Sequence, residues 1–243
     1  MAMSLEIKID GIYDEKTFNH LAAMGILNFG FDFRPLSFNF IPQHKFQELI
    51  NSKFSSKRRF FLHFADEKDF MIWKIVDDLT KLYVRLKDLQ EKGIEYLTMQ
   101  SNFFLEFSYL KNNLDFYNQF NLPFYLYVDD TNEGVISDLE KFHRPSHLKG
   151  IILNYNSLMH RYDNGTVEDI KKGLLPLLST KRGRTQIEIV LDVDWDAEIF
   201  TSLLEIFPFQ RVAFKINPKI EFSYRNVDIN RVENHLKNFS QML

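Results

Sequence analysis

Apolar runs of strand length alternate with segments of helical period from one end of the chain to the other. "LEIKIDG" (5–11) reads as a first strand. "DEKTFNHLAAMG" follows as a helix, opened by Asp14 as its N-cap and closed by Gly25. "ILNFGFDF" (26–33) is a second strand, then a turn "RPLSFNFI" and a helix near 42–54. "RRFFLHFA" (58–65) is strand three, followed by a long amphipathic helix over 68–91. "EYLTMQS" (95–101) is strand four with a helix near 104–119, and "PFYLYVDD" (123–130) is strand five with a helix near 133–142. "KGIILNYN" (149–156) is strand six, leading through a long loop to a helix near 166–179. "QIEIVLDVD" (186–194) is strand seven with a helix near 196–206, and "RVAFKIN" (211–217) is strand eight. A helix over 228–242 closes the chain.

Strict alternation of this kind predicts a parallel sheet covered by helices. Eight units in this length fit a single (β/α)8 TIM barrel, an α/β fold, as one domain over residues 1–243. A doubly wound open sheet is the runner-up. The absence of a glycine-rich dinucleotide turn after the first strand weakens it.

Composition narrows the function classes. The 243 residues are 45% hydrophobic, enough for a large core, and the 25 phenylalanines read as bulky core packing. With 30 basic and 33 acidic residues the formal charge is -3, which lacks the basic footprint of a nucleic-acid binder. The chain has no cysteine, so disulfides, thiolate zinc sites and cysteine nucleophiles are excluded, in keeping with a reducing cytoplasm. No apolar run approaches the roughly 18–20 residues that span a bilayer. The start "MAMSLEIK" has no apolar signal core, so a cytoplasmic protein without a membrane partner is expected.

Side chains alternate across a strand, and a ring of helices requires the apolar row. The other row must then face the barrel interior. That row holds Glu6, Lys8 and Asp10 in strand one, and Asn28, Gly30 and Asp32 in strand two. Strand seven contributes Glu188, Val190, Asp192 and Asp194, and strand eight Ala213, Lys215 and Asn217. Buried charges need partners. Lys8 and Lys215, on neighbouring strands, are the expected partners for Glu6, Asp10, Glu188 or Asp192. C-terminal strand ends line the face where barrel enzymes work. They place Asp10, Asp32, Gln100, Asp129, Asp130, Asn154, Asp192, Asp194 and Asn217 in an acidic mouth, the expected place for a small-molecule ligand.

The opening stretch resembles the phosphoribosylanthranilate isomerase family. Family members begin with a strand K-x-C-G-I-T and continue through a helix to G-F-x-F-x-x-x-S-x-R. Here "KIDGIY" matches at Lys8, Gly11 and Ile12, and "GFDFRPLSFNFI" at Gly30, Phe31, Phe33, Pro35, Ser37 and Ile41. The similarity covers residues 6 to 50. Weaker agreement returns in "PKIEFSYRNVDINRVENHLKNF". The resemblance implies a barrel and a cofactor-free Amadori rearrangement of an aminoaldose. That reaction needs a general base at the end of strand one and a general acid at the end of a later strand.

The implied site is altered at each position. Asp10 stands where the family has its cysteine base, and a carboxylate can serve as a carbon-acid base. The acid position reads Asn154, with Asp129 and Asp130 as possible substitutes on the adjacent strand. The arginine of S-x-R reads Asn39, with Arg34 nearby. The family's phosphate turns after strands seven and eight read "LDVDWD" and "KINPKI", without glycine. There Asp192, Asp194 and Asp196 would repel a dianion. A like charge at ~4 Å costs on the order of 4 kcal/mol at an effective dielectric near 20. The expectation is therefore a divergent barrel that does not catalyse the family reaction, either a binding module or an enzyme with a different substrate, whose ligand is neutral or cationic, with Lys215 tuning one of the acids. The alternatives are a working isomerase using Asp10, and a metal-dependent enzyme built on the alternating acids of "DVDWD". "HRYDNG" (160–165), in the loop after strand six, is a candidate lid. His63 reads as a hydrogen-bonded core residue; His20 and His44 read as surface residues.

Overall fold

Eight parallel strands hydrogen-bond in chain order, and the eighth returns to the first, so the sheet is a closed barrel. This computed structural model describes residues 5–53, 57–89, 102–108, 115–128, 147–178, 187–197 and 201–242. The strands are β1 (Glu6–Asp10), β2 (Asn28–Asp32), β3 (Arg59–Phe64), β4 (Phe103–Phe107), β5 (Phe124–Val128), β6 (Leu148–Asn154), β7 (Glu188–Val193) and β8 (Arg211–Lys215). The described helices are α1 (Glu15–Ala23), α2 (Gln43–Lys53), α3 (Asp69–Leu89), α4 (Asp115–Asn118), α5 (Tyr155–Asp163), α6 (Val167–Leu178), α7 (Thr201–Ile206) and α8 (Ile229–Met242). Among the described residues no helix is long and apolar enough to cross a membrane.

The alternation does what the pattern requires. Ile9, Phe29, Phe31, Phe60, Leu62, Leu105, Leu153, Leu191 and Phe214 point outward and are buried beneath the helices. The interior row forms a second apolar cluster of Phe61, Phe104, Tyr125, Ile152, Val190 and Ala213. Above and below it, polar side chains fill the axis. The phenylalanines are core, as expected: Phe31 packs edge-on against Phe46 at 4.9 Å, and Phe64 stacks on Phe107 at 5.9 Å. Closure is in register, with Lys8 beside Ala213 and Asp10 beside Lys215.

Three expectations are corrected. Strand four was expected at 95–101, which lies outside the described residues, and a helix at 104–119. Instead "FFLEF" at Phe103–Phe107 is β4, paired with both β3 and β5. Its residues are buried on both faces, so it shows no alternation to read. The expected loop after strand six is α5, because Asn154 ends the strand and caps a helix, its side chain accepting from Ser157 N at 3.1 Å. After β8, Asn217 caps a short 3-10 turn (Pro218–Ile220) that leads into a small hairpin, β9 (Glu221–Ser223) and β10 (Asn226–Val227), which the sequence pattern did not predict. The helix expected near 133–142 lies outside the described residues.

Candidate functional site

Lys8 is the centre of the barrel axis. It is fully buried, and its Nζ lies 2.7 and 2.9 Å from the two Asp10 oxygens and 2.6 Å from Glu106 Oε1. The same ammonium sits over the Phe61 ring, 4.7 Å from its centroid. Burial opposes its charge, but Asp10 and Glu106 outweigh that and raise its pKa above the ordinary lysine value. Asp10 can take this position only because residue 30 is glycine: a Cβ there would lie 1.8 Å from Asp10 Oδ1.

Glu106 completes the cluster from β4. It is 1% exposed, and its Oε2 has no hydrogen-bond partner among the described residues. Burial pushes its pKa up to about 7; Lys8 pulls the other way and the Asp10 charge adds to the rise. Asp192, half-buried at the end of β7, is pushed up to about 6, first by desolvation and then by Asp10. Lys8, Lys215 and a hydrogen bond from Asn154 oppose that shift. Asn154 therefore works in two directions, its amide oxygen on the α5 N-terminus and its amide N–H on Asp192.

The β2 end carries a second cluster. Asp32 is buried and accepts from Arg34 Nε at 2.8 Å, Arg34 Nη2 at 2.6 Å and Ser37 Oγ at 2.5 Å. Lys215 lies 3.5 Å away. Burial disfavours its charge, yet Arg34 and the neighbouring donors hold its carboxyl well below the usual carboxylate range. Arg34 is thus committed to Asp32. Asn39, at the family's arginine position, is fully buried and donates to the Ile216 carbonyl at 2.6 Å. It faces inward beneath Gly11, where a Cβ would meet its amide at 2.2 Å.

The β7 and β8 ends are cross-linked. Asp194 accepts from Trp195 N at 2.8 Å, Asn217 Nδ2 at 2.8 Å and Lys219 Nζ at 2.6 Å. Lys219 also binds Asp196 at 2.8 Å. The three acids of "DVDWD" do not converge: Asp192 faces the axis, while Asp194 and Asp196 share Lys219. Among the described residues no group of three metal-ligating side chains comes together.

The expected pairing needs correction at the opposite end. Glu6 and Glu188 do not meet Lys8 or Lys215. Glu6 binds Arg211 and Arg59, each at 2.8 Å, and Glu188 binds Arg211, Tyr125 and Lys149. This network plugs the N-terminal end of the barrel. Three acids of the expected mouth, Asp10, Asp32 and Asp194, each have a cation within 3 Å. His63 faces the axis, stacked on Tyr127 at 4.7 Å; it is buried as expected, but among the described residues its Nε2 has no hydrogen-bond partner. His20 and His44 are exposed, as expected. Asp129, Asp130 and Gln100 lie outside the described residues.

Beside the axis, a cavity of about 800 Å³ opens at the C-terminal end between the loops after β2, β3 and β8. Its wall is largely apolar, from Pro35, Leu36, Phe38, Met71, Ile216 and Pro218, with Arg34, Ser37, Lys68, Lys215 and Asn217 among its polar groups. Phe38 packs edge-on against Tyr224, and Arg225 sits over the Tyr13 ring, so the β9–β10 hairpin is strapped to the loops after β1 and β2.

Solved structures share this barrel fold. A phosphoribosylanthranilate isomerase from Thermotoga maritima, described as mutually generated monomers of a dimeric enzyme, superposes with a TM-score of 0.63 at 13% identity, over 98% of this chain and 99% of that one. A phosphoribosylanthranilate isomerase bound to reduced 1-(o-carboxyphenylamino)-1-deoxyribulose 5-phosphate gives 0.63 at 12% identity, over 98% and 99%. The Thermus thermophilus enzyme gives 0.60 at 10%, over 98% and 100%. The fold is that of the phosphoribosylanthranilate isomerases. No protein-family model matches the chain, and no curated protein does. At such identity the likeness establishes the barrel and its chain path alone.

Sequence reasoning missed Glu106, Arg211 and Lys219. Glu106 was concealed by the displaced fourth strand. Arg211 stands at a strand start, where an inward arginine resembles a solvated one. Lys219 follows Pro218 in a turn, and its partners come from the neighbouring strand.

Proposed function

We propose that this barrel binds a small uncharged or cationic molecule at the C-terminal end of its strands and does not catalyse the Amadori isomerisation of the enzymes it resembles. The observation that carries this reading is the β7–β8 end. Where the resemblance would seat a phosphate dianion, the Asp194 carboxylate already takes the Trp195 N–H, Asn217 and Lys219. Further support comes from the remaining positions. Asp10, the candidate base, is 6% exposed and held by the Lys8 ammonium at 2.7 Å, so it does not stand free at the mouth as a base must. Asn154 has no acidic proton and is used as a cap. Asn39 lines the cavity but is fully buried, and its amide N–H is taken by the Ile216 carbonyl, so it offers no cation for a carboxylate. The charged groups on or behind the cavity wall offset one another: Arg34, Lys68 and Lys215 against Asp32, Asp66 and Glu67.

The test is to generate phosphoribosylanthranilate in situ and follow its fluorescence decay with the purified protein, running Asp10→Ala in parallel. We expect decay at the uncatalysed rate for both proteins. Turnover by the parent that is lost in Asp10→Ala would overturn the proposal and establish a carboxylate-based isomerase.

A further inference from the structure

The axial cluster has a charge imbalance that its described residues do not resolve. Four carboxylates are spread along this part of the axis, bridged by cations rather than gathered at one point: Asp10 and Glu106 on Lys8, Asp32 on Arg34 and Lys215, and Asp192 within the field of Asp10. Three cations face them: Lys8, Arg34 and Lys215. His63 does not supply a fourth, because burial and then Arg34 push its pKa well down. Tyr127, from β5, is neutral because burial and the surrounding acids push its pKa well up. Glu67 and Lys68 stand further out, on the cavity wall. Fully ionised, the cluster carries one net negative charge.

An independent observation points to a missing partner. Glu106 Oε2 and His63 Nε2 are both buried on this axis without a hydrogen-bond partner among the described residues. A buried acceptor left unmade is costly, so native proteins rarely leave one. Access is from the mouth, where Asp192, Asn154 and Tyr127 are half-buried rather than sealed.

We propose that the barrel axis is a binding site for one singly charged ammonium group, carried by a small amine ligand and held against Asp192 and Asp10. One positive charge balances the cluster. An ammonium also brings N–H donors for acceptors that Lys8, occupied by Asp10 and Glu106, does not serve. A divalent ion would overcompensate beside three fixed cations. Without the amine, a single proton on the cluster fills the same electrostatic role, so amine and proton compete. This site goes beyond the outer cavity proposed above, and isomerase turnover would sink that reading without touching this one.

The probe is ethanolamine, with ethylene glycol as its neutral counterpart and potassium chloride as the simple monocation. Isothermal titration in two buffers of different ionisation enthalpy counts the protons exchanged. Below the cluster's proton affinity, ethanolammonium binding should strengthen about tenfold per pH unit and release close to one proton; at pH ~8 the release should vanish. Asp192→Asn and Glu106→Gln each bring the cluster to neutrality. Either should abolish proton release and weaken ethanolammonium at least tenfold, and circular dichroism checks that each is folded. Glu106→Gln alters no residue half-buried at the mouth, so it decides the matter if Asp192→Asn fails to fold. The proposal is overturned by an equal response to potassium or ethylene glycol, by no saturable heat at high millimolar ethanolamine, or by folded variants that bind as the parent does.

Discussion

Glu106→Gln also tests the buried cluster with no ligand present. The Glu106 carboxyl titrates near 7 in the folded protein against an ordinary 4.5, mainly because burial disfavours its charge. At 1.36 kcal/mol per pH unit, that difference corresponds to about 3 kcal/mol. The sign follows from proton counting. Between the two values the folded protein holds a proton that the unfolded chain has released, so stability falls as pH rises. The stabilising contribution is complete below about pH 4.5 and is lost as pH passes through 7. Glutamine keeps the shape and an acceptor for Lys8 but cannot ionise. Urea unfolding at intervals from pH 5 to pH 8 should show the parent losing about 2.5 kcal/mol relative to the variant, the rest having been lost below pH 5. Asp192, pushed up to about 6, shares the same proton, so the two contributions do not add. A parent–variant difference constant across this range would refute the reasoning and mean that Glu106 is ionised throughout.

Gly30→Ala places a methyl 1.8 Å from Asp10 Oδ1 and 3.1 Å from the Asp10 Cα, so the backbone cannot simply step aside. We expect a loss of about 1–3 kcal/mol by thermal unfolding, and an unchanged Tm would mean that Asp10 adopts another rotamer. Asp194→Ala frees the donors at Trp195 N, Asn217 and Lys219. The variant should lose about 1–2 kcal/mol and, unlike the parent, should gain Tm on addition of inorganic phosphate; equal phosphate responses would show that Asp194 does not fill an anion site.

The barrel was legible because its outer row must be apolar. Ile9, Phe29, Phe31, Leu191 and Phe214 mark their strands at period two, against polar partners. β4 was not legible for the converse reason: "FFLEF" is buried on both faces, and a short fully buried run cannot be told from a helix by period. With that strand displaced, Glu106 dropped out of the site. The inward placement of Lys8, Asp10, Asp32 and Asp192 was readable, but their pairing was not. Lys8 meets Glu106 across 98 residues of sequence, a contact set by barrel register and side-chain reach. Asn39 shows the same limit. Its partner is the backbone carbonyl of Ile216, and a carbonyl leaves no mark in a sequence.

Why residue 154 is asparagine can be asked directly. Aspartate caps a helix as well as asparagine does, so Asn154→Asp should preserve the α5 N-terminus held through Ser157 N. What it changes is charge. The Asn154 amide N–H now faces Asp192, and an aspartate would replace that donor with a fifth carboxylate in a cluster already one cation short. Like charges at ~4 Å cost on the order of 4 kcal/mol at an effective dielectric near 20, and a shared proton removes most of that cost. We therefore expect the variant to match the parent at pH 5, where Asp192 can hold a proton, and to fall several kcal/mol below it at pH 8, measured by urea unfolding. A uniform loss at both pH values would trace the effect to the cap. No loss at pH 8 would mean that the axis tolerates another negative charge. The ammonium site, which rests on that charge being uncompensated, would then lose its basis.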